Sequence, residues 1–269
     1  MATNNQGSRA AREAAAVARA KAKAEQKNRE RKIQIIGGVV VLLVVAVLVV
    51  IGVQAASKNA GGVDANAALP AGVTTDTYGV KVGKAWTQPK ADSIPKLELW
   101  EDFQCPACKN LEASSGEVIS SLAEAGKLRV EYRPTIFLDA ILQGQNSANG
   151  NPDSSLEATM AFGCAVDAGK AAEFHQIVFA NQPEEGKGYS TRELEGYAQS
   201  VGILGAKFTT FSNCLAAKKY NGWVQNSYIK FNASGVTSTP TGILNGKTLD
   251  SKVLYDPKAL AKAIQDATN

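Results

Sequence analysis

Cys105-Pro106-Ala107-Cys108 is the stretch of this chain best suited to covalent chemistry. Two cysteines at that spacing can hold a metal, staple a loop or exchange electrons. Zinc would need four ligands drawn from Cys, His and carboxylate. The chain has one histidine, His175, and no second closely spaced cysteine pair, so no metal site is expected. A structural disulfide across two intervening residues would close a very short loop and constrain little of the unfolded chain. Redox chemistry is left, and it makes demands on the surrounding elements.

Before the pair runs "KLELWEDF", residues 96–103. Its alternation places Leu97, Leu99 and, by the same period, Glu101 on one face, with Glu98, Trp100 and Asp102 on the other. A strand ending near Phe103 delivers Cys105 to a strand-to-helix turn. Pro106 suits the first helical position, where its missing N–H costs nothing. Cys105 then becomes the N-cap and Cys108 the third helical residue. A thiolate at an N-cap can accept from the amides of Ala107 and Cys108 and feels the positive end of the helix dipole. Both effects lower a thiol pKa, and the thiolate is the nucleophile of disulfide exchange. Cys105 is expected to be the exposed nucleophile and Cys108 its resolving partner. His175, beside Phe174 and Ile177 in a helical pattern, reads as a packed or surface residue rather than a catalytic one.

A second signal lies far downstream in "GVTSTPTGILNGKTL", Gly235 to Leu249. Asn245-Gly246 between two apolar runs predicts a hairpin. Pro240 directly precedes the first run, where it cannot donate to a ladder and fits a special turn. Between "KLRVEYRP" and this hairpin the chain has helical patterning. Ser154 with Glu157 and Ser190 with Glu193 have the spacing of capping boxes. Leu156, Met160 and Cys164 share one face, as do Leu194, Tyr197, Ala198 and Val201; Trp223, Val224, Tyr228 and Phe231 mark a further helix. Asp256-Pro257 opens a last helix with Leu260 and Ile264. "LQGQNSANGNPDSS" reads as a polar surface loop.

The N-terminal part is of another kind. Residues 1–32 carry nine Lys or Arg against Glu13, Glu25 and Glu30, a net of +6. The whole chain is at +4, so the remainder is at −2 and has no general nucleic-acid signature. Ile35 to Val53, "IIGGVVVLLVVAVLVVIGV", is an uncharged run of nineteen residues. As a helix it would be about 28 Å long, close to the roughly 30 Å hydrocarbon core. A cleaved signal peptide is the competing reading, with Val53-Gln54-Ala55 as a weak site. The long basic leader and long apolar run favour an uncleaved anchor. Basic residues before the span place the N-terminus in the cytoplasm and everything after it outside. The expected organisation is a basic tail (1–32), a transmembrane helix (33–54), a linker (55–77) and a globular part (78–269).

All four cysteines then fall on the outer side, where an even number points to disulfides. Cys164 lies on an apolar face and Cys214 follows Phe211 by one helical step. They are expected to join two helices as a structural disulfide, with two buried free thiols as the alternative.

With both ends in view, "GVKVGKA", "WEDFQCPACK" and "GVTSTPTGILNGK", in that order, resemble the DsbA family of thioredoxin-fold disulfide oxidoreductases, in particular its membrane-anchored bacterial members. The resemblance runs from about Tyr78 to the C-terminus. It implies an α/β thioredoxin fold with an inserted helical domain at about 140–234. It implies that Pro240 is cis beside the cysteine pair and that Thr239 presents backbone to an extended substrate. It implies no cofactor beyond the Cys105–Cys108 disulfide, exported clients with free thiols, and a quinone-linked membrane oxidase as recycling partner. The function implied is disulfide formation outside the cytoplasm. A reductase or isomerase on the same fold is one alternative, and a non-catalytic, membrane-anchored interaction module another. One departure stands out: the buried carboxylate that family members carry six residues before the first cysteine is replaced here by Leu99. Glu101, Asp102 or water is then left to move the proton of the second thiol.

Overall fold

The computed structural model describes residues 62–268. The basic tail, the apolar span and the start of the linker lie outside them, and with them the expectation of a membrane anchor. Among the described residues no helix is long and apolar enough to cross a membrane.

Five strands form one mixed sheet in the order β1-β3-β2-β4-β5: β1 (Val80–Val82), β2 (Lys96–Glu101), β3 (Arg129–Pro134), β4 (Thr241–Leu244) and β5 (Lys247–Thr248). β2 and β3 are parallel and are joined through helix α1 (Pro106–Glu124); β1 pairs antiparallel with β3, and β4 antiparallel with β2. β2 is therefore central, with neighbours on both edges, and its near-continuous burial follows from that position. Leu97 and Leu99 are fully buried, and Leu111 and Ile119 of α1 join them in the core. β4 and β5 form a hairpin whose two-residue turn is Asn245-Gly246, with φ of 46° and 80°. Positive φ at both positions is what a tight hairpin demands and why Asn-Gly occupies it.

Helices α2 (Phe137–Ala148), α3 (Ser154–Asp167), α4 (Ala171–Ala180), α5 (Thr191–Ser200), α6 (Ala206–Ala216) and α7 (Asn221–Ala233) fill the interval between β3 and β4. Short α8 (Ser251–Leu254) and α9 (Pro257–Asp266) complete the chain. α3 is buried on almost every side, so it is the axis of the helical part. Cys164 of α3 and Cys214 of α6 are joined by a disulfide with Cα atoms 6.0 Å apart. Gly163 beside it allows a close approach, because a Cβ there would lie 2.7 Å from the Tyr220 ring and 3.1 Å from Pro70.

Three local expectations are corrected. The N-cap of α3 is Asp153, without a side-chain capping bond, and Ser154 Oγ accepts instead from the Tyr189 amide at 2.7 Å. A tertiary carboxylate has taken over the capping: Asp139 of α2 accepts from the amides of Ser155 and Leu156, both at 2.8 Å. The Ser190–Glu193 capping box, with no such competitor, forms on α5. Second, much of the expected polar loop is helix, since α2 extends to Ala148 with Leu138, Leu142 and Asn146 on its buried face. Third, the described part of the linker is strapped to the helical domain. Asn226 exchanges two hydrogen bonds with the backbone of Asp64 (2.9 and 2.8 Å), Ala71 N–H donates to Asp167, and Trp223 donates to the Tyr78 carbonyl.

Candidate active site

β2 ends at Glu101, and Asp102 to Gln104 turn the chain into α1. Cys105 is the N-cap of α1, with extended backbone (φ −75°, ψ 116°), and Pro106 takes the first helical turn. Both thiols are reduced. Contrary to the expectation of an exposed nucleophile, Cys105 is itself buried, at 6 % exposure against 0 % for Cys108. It remains the more accessible of the two, because an N-cap side chain stays at the turn while the third helical residue faces the sheet.

The environments of the two thiols push them apart. Cys105 is lowered from its ordinary 9.0 to about 6, chiefly by a hydrogen bond from the Cys108 thiol, against the opposing effect of burial. The Thr239 side chain and the amides of Cys108 and Ala107 add to the lowering. Cys108 is pushed well above its ordinary value, first by burial, then by Cys105 and by the charge of Glu101. One sulfur is thus a thiolate near neutral pH and the other holds its proton.

Pro240 faces this pair. The Thr239–Pro240 peptide bond is cis, and Cys105 Sγ lies 3.5 Å from the Thr239 carbonyl oxygen, to which its thiol form donates. The sheet explains the meeting: Trp100 at the end of β2 pairs with Thr241 at the start of β4, so the residues just beyond both strands converge. Cys164 and Cys214 belong to a separate disulfide in the helical domain.

Close to the pair lies Glu101, two residues after Leu99 in β2. Both residues sit on the same face of β2, one alternation apart. Glu101 is buried, and its pKa is raised well above the ordinary range by burial and by Cys105. Asp102, the other candidate, is turned into the helical domain. Its carboxylate accepts from Gln104 N–H (2.9 Å), Ser155 O–H (2.6 Å) and Leu138 N–H (3.1 Å), and burial with Asp139 nearby raises it to about 8. It anchors the turn, whose next bond is Cys105 N–H to the Asp102 carbonyl at 2.9 Å.

Two residues of this region were not singled out as functional in the sequence. His175 of α4 is packed, as one of its two readings had it, but its Nε2 lies 2.9 Å from Glu101 Oε2 and its ring stacks on Tyr132 with centroids 3.8 Å apart. Its pKa is lowered to about 4 by burial, so the ring is neutral. Glu112 of α1 puts Oε2 3.8 Å from His175 Nδ1, and burial with Glu101 nearby raises it to about 8. Glu112 carried a signal: it stands four residues after Cys108, on the same side of α1. His175 carried none, since β2 and α4 meet only in the fold. Glu101, Glu112 and His175 bring one ligand-type atom each within 4.8 Å of the others. Both carboxyls favour holding protons, and a neutral imidazole lies between them.

Residues 88–266, more than half of the chain, match the family described as Thioredoxin. A search of the curated proteins returns no significant match. Among solved structures, the chain is similar to the reduced disulfide bond oxidoreductase DsbG of Mycobacterium tuberculosis, at 26 % identity and a TM-score of 0.58, over 71 % of this chain and 88 % of that one. It is similar to oxidised DsbA of M. tuberculosis, at 27 % identity and a TM-score of 0.57, over 71 % and 93 %. MdbA, a thiol-disulfide oxidoreductase from Actinomyces oris, shares the fold at 21 % identity and a TM-score of 0.60, over 74 % and 92 %. The chain belongs to the thioredoxin family and has the fold of the DsbA-type enzymes of thiol–disulfide exchange.

Proposed function

We propose that this protein is an extracytoplasmic thiol:disulfide oxidoreductase that introduces disulfides into exported proteins through Cys105 and Cys108. The observation that carries the reading is the opposition of the two thiols, one lowered to about 6 and the other raised. In the oxidised protein a client thiolate attacks Cys105 Sγ, the Cys105–Cys108 bond breaks, and its electron pair leaves on Cys108. That buried sulfur is a strong base and takes a proton, for which Glu101 is the nearby carboxylic acid. A second client thiolate attacks the client sulfur of the mixed disulfide, and the pair of electrons leaves on Cys105, which stays a thiolate. The client has lost two electrons and the cysteine pair has gained them. Stabilising the Cys105 thiolate stabilises the reduced form and makes the disulfide a better oxidant. The cis-Pro240 turn, with Thr239 offering backbone beside Cys105, is suited to holding an extended client segment in reach.

The test is equilibration with glutathione. The couple is expected above roughly −200 mV, between thioredoxin at about −270 mV and DsbA at about −120 mV. Reduced, unfolded substrate should gain disulfides in its presence. A potential near that of thioredoxin, with the pair reduced in cells, would make it a reductase. Recycling by a quinone-linked membrane oxidase and anchoring through residues 33–54, N-terminus inside, complete the proposal; both rest on the sequence. Protease added to intact cells should remove the globular part and spare the basic tail. Mature protein starting near Ala55 would instead mark the span as a cleaved signal.

A further inference from the structure

We propose that His175 is a proton-relay residue, acting through Glu101, and that with Glu112 it connects Cys108 to solvent on the side of α1 away from the client. The inference rests on the exchange reaction proposed above and assigns a route to its proton. Glu101 is buried and borders a cavity of only about 10 Å³ walled by Phe103, Tyr132, Phe162, His175 and Phe179, so once it has protonated Cys108 it needs a route by which to recover a proton. Its Oε2 lies 2.9 Å from His175 Nε2, and on the far side of that ring Nδ1 lies 3.8 Å from Glu112 Oε2. Glu112 in turn lines a groove of about 390 Å³ between α1 and α4, bordered by Lys109, Ala113, Gly116, Gln176 and Phe179. Glu101 Oε1, Glu112 Oε1 and His175 Nδ1 are buried polar atoms with no hydrogen-bond partner among the described residues. Buried polar atoms left this way call for an explanation, and a proton passed between the three side chains supplies one.

The protons balance over a full cycle. During client oxidation Cys108 takes the proton of Glu101, Glu101 takes the one on His175 Nε2, Nδ1 takes the one on Glu112, and Glu112 is reprotonated from the groove. The imidazole remains neutral and changes tautomer, from Nε2–H to Nδ1–H. When the pair is reoxidised, the Cys108 thiol gives its proton to Glu101 as its sulfur attacks, the relay runs outward, and the ring returns to Nε2–H. The charged and titratable groups that face the relay are Glu101 of β2, Tyr132 and Arg133 of β3, Cys105, Cys108 and Glu112 of α1, and Tyr255 after α8, with Lys109 and Glu117 of α1 on the groove beside Glu112. Arg133 is paired with Glu98, and Tyr132 keeps its proton under burial, which leaves Glu101, His175 and Glu112 to exchange one.

His175 is the only histidine of the chain, so its ring nitrogens can be followed without assignment. In the full-length protein labelled with ¹⁵N-histidine, a neutral ring should show Nε2–H when the pair is oxidised and Nδ1–H when it is reduced. The same tautomer in both states overturns the relay. In kinetics, His175→Phe should fill the cage formed by Phe103, Tyr132, Phe162 and Phe179. It should leave the alkylation rate of Cys105 unchanged and slow the Cys108-dependent resolution of a mixed disulfide about 100-fold at neutral pH. Glu112→Gln should slow the same step, and Glu112→Asp should restore part of it. Unchanged resolution in folded His175→Phe and Glu112→Gln sinks the relay alone. Failure of wild-type Cys105 to form mixed disulfides at all would instead sink the exchange reaction on which it rests.

Discussion

A thiol that titrates near 6 in the fold and near 9 when free makes the stability of the reduced protein depend on pH. Because the folded value is the lower one, its contribution is complete above pH 9 and is lost as pH falls through 6. The whole difference corresponds to about 4 kcal/mol, of which about 1.4 kcal/mol is realised at pH 7. The raised Cys108 acts in the opposite sense, so the reduced wild type is best compared with Cys105→Ser, which retains Cys108. Relative to that variant the wild type should gain stability to denaturant between pH 6 and 9. Alkylation of Cys105 in the reduced wild type should follow an ionisation near 6, whereas Cys105→Ser should react slowly throughout. Cys108→Ser removes the largest lowering contribution and should move that midpoint upward. A wild-type midpoint near the ordinary thiol value would show that the N-cap and Cys108 do not stabilise the thiolate. The amides of Ala107 and Cys108 were readable from the CPAC spacing; the hydrogen bond from the Cys108 thiol, the largest contribution, was not.

Helix α3 shows the same division at the scale of elements. Its apolar residues were legible from periodicity, but its start was not, because Asp139 arrives from α2 to satisfy the amides that Ser154 was expected to cap. The Cys164–Cys214 link ties α3 to α6 across fifty residues of chain. A loop of that length corresponds to about 4 kcal/mol by chain entropy, and in a domain of this size each kcal/mol moves Tm by about 2–4 °C. Cys164→Ala with Cys214→Ala should therefore lower Tm by roughly 8–16 °C. The alkylation rate of Cys105 should hardly change, since the bridge lies outside the site. An unchanged Tm would mean that α3 and α6 are held by packing alone.

The described molecule does not begin at β1. The segment that composition marks as linker lies along α3 and α7, with Pro70 over Gly163 and Asp64 held by Asn226. Its small side chains are suited to close approach as much as to flexibility, and composition cannot separate the two. Asn226→Ala would leave the backbone of Asp64 without its two bonds and should cost about 1–2 kcal/mol in denaturant unfolding. Protease sensitivity before Tyr78 should rise while thiol exchange persists. No change in either would show that the strap is not held through Asn226.

What the sequence by itself determined was local or periodic. CPxC after an alternating strand, Thr-Pro before a short strand, and Asn-Gly between two runs each constrain a few consecutive residues, and their order named the fold. Leu97, Leu99 and Glu101 fell on one face because a strand repeats every two residues. The tertiary structure decided what lies opposite that face. Leu99 stands where the resemblance expects a carboxylate, and Glu101, one alternation further along, is the buried acid of that face because the helical domain covers it there. His175 gained its part when α4 brought it 2.9 Å from a residue 74 positions earlier. No pattern within either segment records that distance. A buried acid becomes a proton carrier only through what surrounds it, and those surroundings are assembled from segments remote in sequence.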